Sequence, residues 1–403
     1  MNILYVSNVC SERVFCRFFE NTDQIPSQAA QKYSSLLVKG LKKNDVNIQV
    51  LSKLPAKNMG YGRHTGFYMS EKARGIIYRY LPVYDMPVFR NMLTVALSWM
   101  SVKKYIKKNA GKGQTCIIMD VLNISLALGA CAACKQSGIP VIGVVTDIPY
   151  FLNHNKKSLM TRLSDWMINK CDGYVLLTQQ MNDYINKKGR PYAVIEGIAD
   201  SDIAGMAKHF NRHEKKICLY SGSLDRIHGI QCLAEGFIQA DIPEAELHIY
   251  GDGDFVPELK KLAEMHKNIV YFGTRMNREV ISKQARAALL INPRPSHQVF
   301  TQFSFPSKNM EYMVSGTPVL TSRLPGMPEE YWDYVYILED ETAQGIAQIL
   351  KKLLYCDKKA LQEKGLKAKE FVLTQKNEIK QAEKVLQMVL RVLNHENKNK
   401  NKI

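Results

Sequence analysis

The residues best suited to chemistry crowd into one window, 291–320, which reads INPRPSHQVFTQFSFPSKNMEYMVSGTPVL. Arg294 follows an apolar run that ends at Asn292, Pro306 precedes Ser307 and Lys308, and Glu311 lies three positions beyond Lys308. Proline suits the first turn of a helix, where its missing N–H has no partner to lose, so the spacing predicts a helix opening at Ser307. The unpaired backbone N–H groups of that turn then favour an anion by about 0.3–1 kcal/mol when exposed and up to about 2 kcal/mol when partly buried. That is too little to hold a diphosphate alone, and Arg294 and Lys308 supply charge-assisted donors beside it. A carboxylate at Glu311 would repel a phosphate but can accept both hydroxyl protons of a ribose. The competing reading of Glu311 is an exposed helical glutamate.

Three further loops follow short apolar runs. Ser221-Gly222-Ser223-Leu224-Asp225-Arg226-Ile227-His228-Gly229 offers small residues for close backbone approach at Ser223, with Arg226 and His228 as cations. Tyr250-Gly251-Asp252-Gly253 is a tight turn, and Phe272-Gly273-Thr274-Arg275 follows another run and is placed to face a base. Each loop alone also reads as an ordinary strand-to-helix turn.

Loops like these need a parallel sheet behind them. Apolar runs at 3–7, 48–52, 116–120, 140–146 and 173–178 alternate with helical patterns at 31–43, 124–136, 159–169 and 180–186. After a charged stretch, 201–216, the pattern restarts: strands at 217–221, 246–250, 269–272, 288–292 and 317–321, helices at 228–239, 256–266, 278–286 and 307–314. Short apolar runs between helices imply strands buried on both faces, so the expected fold class is α/β with two doubly wound domains. A last helix over 377–393 carries Ala382, Val385, Leu386, Val389, Leu390 and Leu393 on one stripe, followed by a polar tail. The expected boundaries are 1–205, 206–375, and 376–403 for the helix packing back on the first domain.

Composition agrees. A chain of 403 residues exceeds one ordinary domain, and its 46% hydrophobic content argues against disorder. The formal net charge of +17 favours anionic partners. No zinc-finger, RNP-type or helix-turn-helix signature accompanies it, which argues against nucleic acid. No apolar stretch approaches the roughly 18 residues of a membrane span, and the short first run looks like a core strand, not a secretory signal. Nine cysteines without paired spacing suggest reduced thiols in a cytoplasmic protein. The CxxC of Cys131 and Cys134 lies in an alanine-rich helical stretch and reads as core packing.

The segment FPSKNMEYMVSGTPVL, with NPRP before it and SGSLDRIHGI and IYGDG upstream, resembles glycosyltransferase family 4, in its capsular and exopolysaccharide branch. The resemblance implies the GT-B fold, two facing Rossmann-like domains with an interdomain cleft. It also implies a retaining, metal-independent hexosyl transfer from a nucleotide-diphosphate sugar, a UDP-sugar above others, with no cofactor. By it, Glu311 binds the donor ribose, Ser307 and Lys308 cradle the diphosphate, and Gly273 and Thr274 lie near the base. The usual motif has two glutamates eight positions apart, and here the earlier position is Phe303. The family's diphosphate arginine and lysine fall on Ser223 and His228, so Arg294, Lys308 and Arg226 are the expected replacement charges. Where many members place a histidine after a strand of the first domain, this chain has Asp147, the candidate acceptor-binding or proton-accepting group; a turn-forming aspartate is the alternative. The loop 24–32 matches a position where relatives contact donor phosphate and acceptor, with Gln28 and Ala29 as candidates.

Residues 88–108 combine an apolar face with Arg90, Trp99, Lys103, Lys104, Lys107 and Lys108, the composition of an interfacial helix on an anionic leaflet. The alternative is a helix packed on its own domain with a solvated lysine end. Relatives in polysaccharide assembly use polyprenyl-diphosphate-linked acceptors. The expected setting is therefore the inner face of the plasma membrane, with a lipid-linked or glycan acceptor. Two other functions fit the same architecture: a degenerate subunit that binds nucleotide without transfer, and a sugar-nucleotide epimerase.

Overall fold

The computed structural model describes residues 1–20, 28–53, 69–82, 87–148, 150, 159–206 and 216–400. The chain forms two compact units, one of Met1–Ile198 with Glu378–Ile403 and one of Ala199–Asn377. The chain thus leaves the first unit at Ile198, ahead of the charged stretch.

In the first unit eight strands form one sheet: β1 (Asn2–Ser7), β2 (Asn47–Lys53), β3 (Met69–Ala73), β4 (Ile76–Leu81), β5 (Thr115–Asp120), β6 (Val141–Val145), β7 (Gly173–Leu176) and β8 (Tyr192–Val194). Their order is β3-β4-β2-β1-β5-β6-β7-β8, parallel throughout except for the antiparallel β3–β4 hairpin. The register aligns Ile3 with Ile48 on one side and with Cys116 on the other. Every residue of β1, β6 and β7 is buried, as their unbroken apolar runs require.

One face of this sheet is covered by the helices Gln28–Lys43 and Glu378–Lys400, which share a core with Tyr5, Val50, Tyr78 and Val144. The last helix differs from its expected outline. It runs on through Lys400, and its buried stripe includes Met388 and Val392 while Leu390 is 41% exposed. On the other face the helices Pro87–Asn109 and Ile124–Ser137 pack together. Cys131 and Cys134 are fully buried thiols there.

The second unit is a six-stranded parallel sheet of β9 (Lys216–Ser223), β10 (Ala245–Asp252), β11 (Ile269–Tyr271), β12 (Leu289–Asn292), β13 (Val319–Ser322) and β14 (Tyr336–Leu338). Its order is β11-β10-β9-β12-β13-β14. Counted within the unit this is 3-2-1-4-5-6, the mononucleotide-pair order of the Rossmann fold. Helices Ile230–Ala240 and Ala343–Leu354 cover one face, and Ser307–Ser315 and Lys358–Gln375 the other. Strand order reverses between β9 and β12, and doubly wound sheets bind ligands beyond the carboxyl ends at that reversal.

Candidate functional site

The loops after β9 and β12 meet at this switch point. Gly229 closes a short 3-10 turn, Arg226–His228, at φ +79°, and a Cβ on it would lie 2.1 Å from the Pro293 carbonyl oxygen. Only glycine allows both the left-handed backbone and that approach. The β12 loop is fixed from its other side, where the Ser296 N–H donates to both carboxylate oxygens of Glu341, at 3.0 and 2.9 Å.

The helix Ser307–Ser315 begins at Pro306, whose side chain cannot cap, and no side-chain cap hydrogen bond is made there among the described residues. Asn309, fully buried, places the first turn: its Oδ1 accepts from Asn292 at the end of β12 (2.7 Å), and its Nδ2 donates to Thr321 on β13 (3.0 Å). The helix N-terminus is thereby tied to the carboxyl ends of two strands, with Ser307 exposed at its tip. Asn309 carried no signal in the sequence, because an amide inside a helix looks like any polar position.

Glu311 is not the exposed helical glutamate of the competing reading. It is 6% exposed, and its Oε1 accepts from Gln284 Nε2 at 2.8 Å and from Lys308 Nζ at 3.2 Å. Gln284, itself fully buried, also donates to Ser221 Oγ at 3.1 Å, and the Ser221 N–H donates to the Tyr312 hydroxyl at 2.8 Å. Buried polar groups paired in this way restrict one another's geometry. The carboxylate is therefore positioned from the end of β9, and the lysine one turn ahead of it is held alongside.

The expected cations divide. Arg294, half-buried, lies over the Phe300 ring at 5.7 Å and reaches Ser304 Oγ at 3.4 Å. Its charge acts on His228, whose pKa burial, then Arg294, lower to about 4. His228 is therefore a neutral imidazole, packed edge-on against Phe300, and the cationic role expected of it is corrected. Arg226 is committed elsewhere: its guanidinium pairs with Glu258 at 2.8 Å and donates to Gln231 at 2.9 Å. Ser223 is exposed and donates to Asp225 Oδ2 at 2.6 Å, which braces the β9 loop.

The β10 and β11 loops continue the same edge. The Gly251 N–H donates to the Gly273 carbonyl at 3.1 Å, and a Cβ on Gly251 would lie 1.8 Å from the Gly222 carbonyl oxygen. Nothing stands within 4 Å of the position a Gly273 Cβ would take, and Thr274 beside it is exposed, which leaves a flat group room to approach. Tyr250 and Phe272 stack beneath at 4.7 Å.

In the first unit Asp147 lies two positions beyond β6, half-buried. Gln28 and Ala29 open the helix Gln28–Lys43, and their side chains lie outside the described residues. Sequence reasoning missed Asp120, at the end of β5 beside β1, where this sheet reverses its own strand order. It is 7% exposed and accepts from the Leu122 N–H (3.0 Å) and Asn123 Nδ2 (2.6 Å); burial pushes its carboxyl up to about 6.

The helix Pro87–Asn109 matches the expected 88–108 segment, but its residues have different environments. Trp99 donates through Nε1 to Gln136 at 2.9 Å, and Lys103 reaches Ser137 at 3.1 Å, so both lean on the neighbouring helix. Arg90 lies near Lys53, whose ammonium pKa is lowered by burial and then by the Arg90 charge. Lys104, Lys107 and Lys108 are exposed, as are Phe89, Met92 and Met100 at 62%, 66% and 56%. No helix among the described residues is long and apolar enough to cross a membrane, and no group of three or more His, Cys, Asp or Glu residues among them could hold a metal ion.

Residues 215–355 match the family model of glycosyl transferases group 1. No curated protein matches the chain. Among solved structures, sucrose-phosphate synthase from Thermosynechococcus elongatus is similar with a TM-score of 0.67 and 14% identity, over 98% of this chain and 100% of that one. HepE of Anabaena in complex with UDP-glucose follows at 0.64 and 14%, over 97% and 100%. The lipopolysaccharide outer core galactosyltransferase WaaB is similar at 0.60 and 13%, over 97% and 99%. At such identities the likeness carries the fold, two Rossmann-like domains of the GT-B type. With the family match it supports a GT-B glycosyltransferase.

Proposed function

We propose that the chain transfers a hexosyl group from a UDP-sugar to a glycan acceptor, with the donor nucleotide held in residues 199–377. The observation that carries this reading is the buried Glu311, fixed through Gln284 to the end of β9, one turn behind the uncapped helix N-terminus at Ser307. Together they offer an acceptor pair for ribose hydroxyls and a positive end for a diphosphate. Uridine is favoured because HepE was captured with UDP and with UDP-glucose, and the E. coli trehalose-6-phosphate protein with UDP-2-fluoro glucose.

In this reading the bond between the sugar C1 and the diphosphate oxygen breaks, and C1 bonds to the acceptor oxygen on the same face. The acceptor proton passes to the departing diphosphate, so no metal and no strong protein base are needed. Negative charge grows on the leaving group, where Ser307, Lys308 and Arg294 act; a preorganised donor to a developing oxyanion in acyl transfer is worth roughly 2.7–4 kcal/mol. Asp147 orients the acceptor. The acceptor is a lipid-linked glycan of a cell-surface polysaccharide, presented at the inner face of the membrane to the helix Pro87–Asn109.

A second reading has its own observation. Phe303 is buried where the family 4 pattern places a glutamate, which fits a subunit that binds the donor without transferring it. Thermal-shift screening against UDP-, GDP- and dTDP-sugars tests the donor; a ligand at 100 times its Kd stabilises by about 2.7 kcal/mol. Stabilisation by UDP-sugars with transfer to a lipid-linked acceptor supports the enzyme, stabilisation without transfer supports the second reading, and no stabilisation refutes both.

A further inference from the structure

On the face of the first sheet under the helix Pro87–Asn109 there is an open groove of about 1130 Å³. The strand pattern explains it. Along β4, Ile76, Tyr78 and Tyr80 are buried on the side of the helix Gln28–Lys43, while Ile77 and Arg79 on the opposite side are only half-buried. The helix Pro87–Asn109 leans on the helix Ile124–Ser137, and among the described residues this side of the sheet is only partly covered.

Leu4 of β1 and Leu51 of β2 lie diagonally on the floor of the groove, Leu51 directly beside Arg79 of β4, and Trp99 and Met100 form one wall. All of its charged lining residues that the structure describes are cations: Arg79 below, and Lys103, Lys104, Lys107 and Lys108 along the helix. Tyr105, 2% exposed, also lines it, and its buried hydroxyl has no partner among the described residues. Burial, then Cys116, push the pKa of that hydroxyl up, and the Arg79 charge opposes the shift. A buried hydroxyl without a partner is destabilising, and a bound acceptor oxygen would relieve that cost.

An apolar trough, a rim whose described charges are all cations and a donor without a partner among the described residues fit one ligand chemistry, an anionic amphiphile. We propose that the groove binds a single anionic lipid, its phosphate at Arg79, Tyr105 and the lysine rim and the start of its chain along Leu4, Leu51 and Trp99. This goes beyond peripheral contact, since a basic helix draws a protein to a leaflet without selecting any one lipid molecule. Its residues belong to the first unit, and those of the proposed donor site to the second.

The test uses a short-chain phosphatidylglycerol kept below its micelle concentration, titrated into the full chain by calorimetry. Saturable binding at one lipid per chain is expected, with at least tenfold weaker binding of the matching phosphatidylcholine. Lys104→Glu/Lys107→Glu/Lys108→Glu is expected to weaken binding at least tenfold. Ser70→Trp, which fills the groove without changing charge, is expected to abolish it. Retained UDP-sugar stabilisation in both variants shows that they fold and separates this proposal from the donor reading. Equal binding of the two lipids, unchanged binding in Ser70→Trp, inorganic phosphate binding as tightly as the lipid, or binding to phosphatidylglycerol vesicles with none to the monomer would each overturn the proposal.

Discussion

Gln284 Nε2 lies 2.8 Å from Glu311 Oε1 and 3.1 Å from Ser221 Oγ, so one buried amide ties the Glu311 carboxylate to the carboxyl end of the central strand β9. Each of the three residues sits on a different element, and the amide fixes the carboxylate before any ligand arrives. Preorganisation of this kind lowers the ordering cost of binding.

Gln284→Leu removes that donor from a buried carboxylate at nearly constant volume. The loss is expected to cost about 1–3 kcal/mol of stability and to weaken UDP binding, because Glu311 is no longer held. Chemical denaturation and UDP titration check the two effects; a variant unchanged in both would show that the amide does not position the carboxylate.

His228 and Asp120 make opposing contributions to acid stability. His228 titrates near 6.5 when unfolded and near 4 when folded, so between those values the unfolded chain holds more protons and stability falls as pH drops. Asp120 titrates near 3.8 when unfolded and near 6 when folded, so in that window the folded chain holds more protons and stability rises as pH drops. His228→Phe is expected to lose less stability than the parent between pH 6.5 and 4, and Asp120→Asn to lose more between pH 6 and 4. Denaturant midpoints against pH measure both slopes.

Gly229→Ala combines a left-handed backbone with a methyl placed on the Pro293 carbonyl. The backbone strain alone costs roughly 1–2 kcal/mol, and the β9 and β12 loops must also part. A lower thermal midpoint together with weaker UDP binding is expected, read by calorimetry and titration.

Glu378 anchors the last helix: its carboxylate, fully buried, lies 2.6 Å from Lys43 Nζ and 3.3 Å from Lys39 Nζ. Both lysines keep some solvent access, so Glu378→Ala is expected to cost about 1–3 kcal/mol and not the full penalty of an isolated buried charge. Proteolysis of the 378–400 helix should accelerate in the variant.

Two doubly wound units were legible because unbroken apolar runs such as Ile3–Val6 and Leu289–Ile291 mark strands buried on both faces. The β3–β4 hairpin was not. Its turn is Arg74-Gly75, both at positive φ, and the arginine hides a geometry that Asn-Gly would have announced. The three-residue strands β8 and β14 are too short for periodicity. Along the last helix a stripe projected from Ala382 and Val385 drifted onto Leu390, while the packed face runs through Met388 and Val392. At the candidate site the helix start and Glu311 could be read because Pro306, Lys308 and Glu311 are chemically distinctive. Gln284, Asn309 and Thr321 do their work through long-range pairing, which leaves no local trace. Arg226 and His228 have the right residue types, but Glu258 takes the charge of the first and burial removes that of the second.

The central claim concerns what Glu311 and the helix behind Ser307 hold. Calorimetric titration of UDP-glucose into the parent chain and into Glu311→Ala tests it directly. One saturable site in the parent and at least tenfold weaker binding in a folded variant are predicted, the loss of about two hydrogen bonds to a charged group. Equal affinity in the two proteins would contradict the assignment of the ribose to Glu311 and of the donor to this end of the sheet.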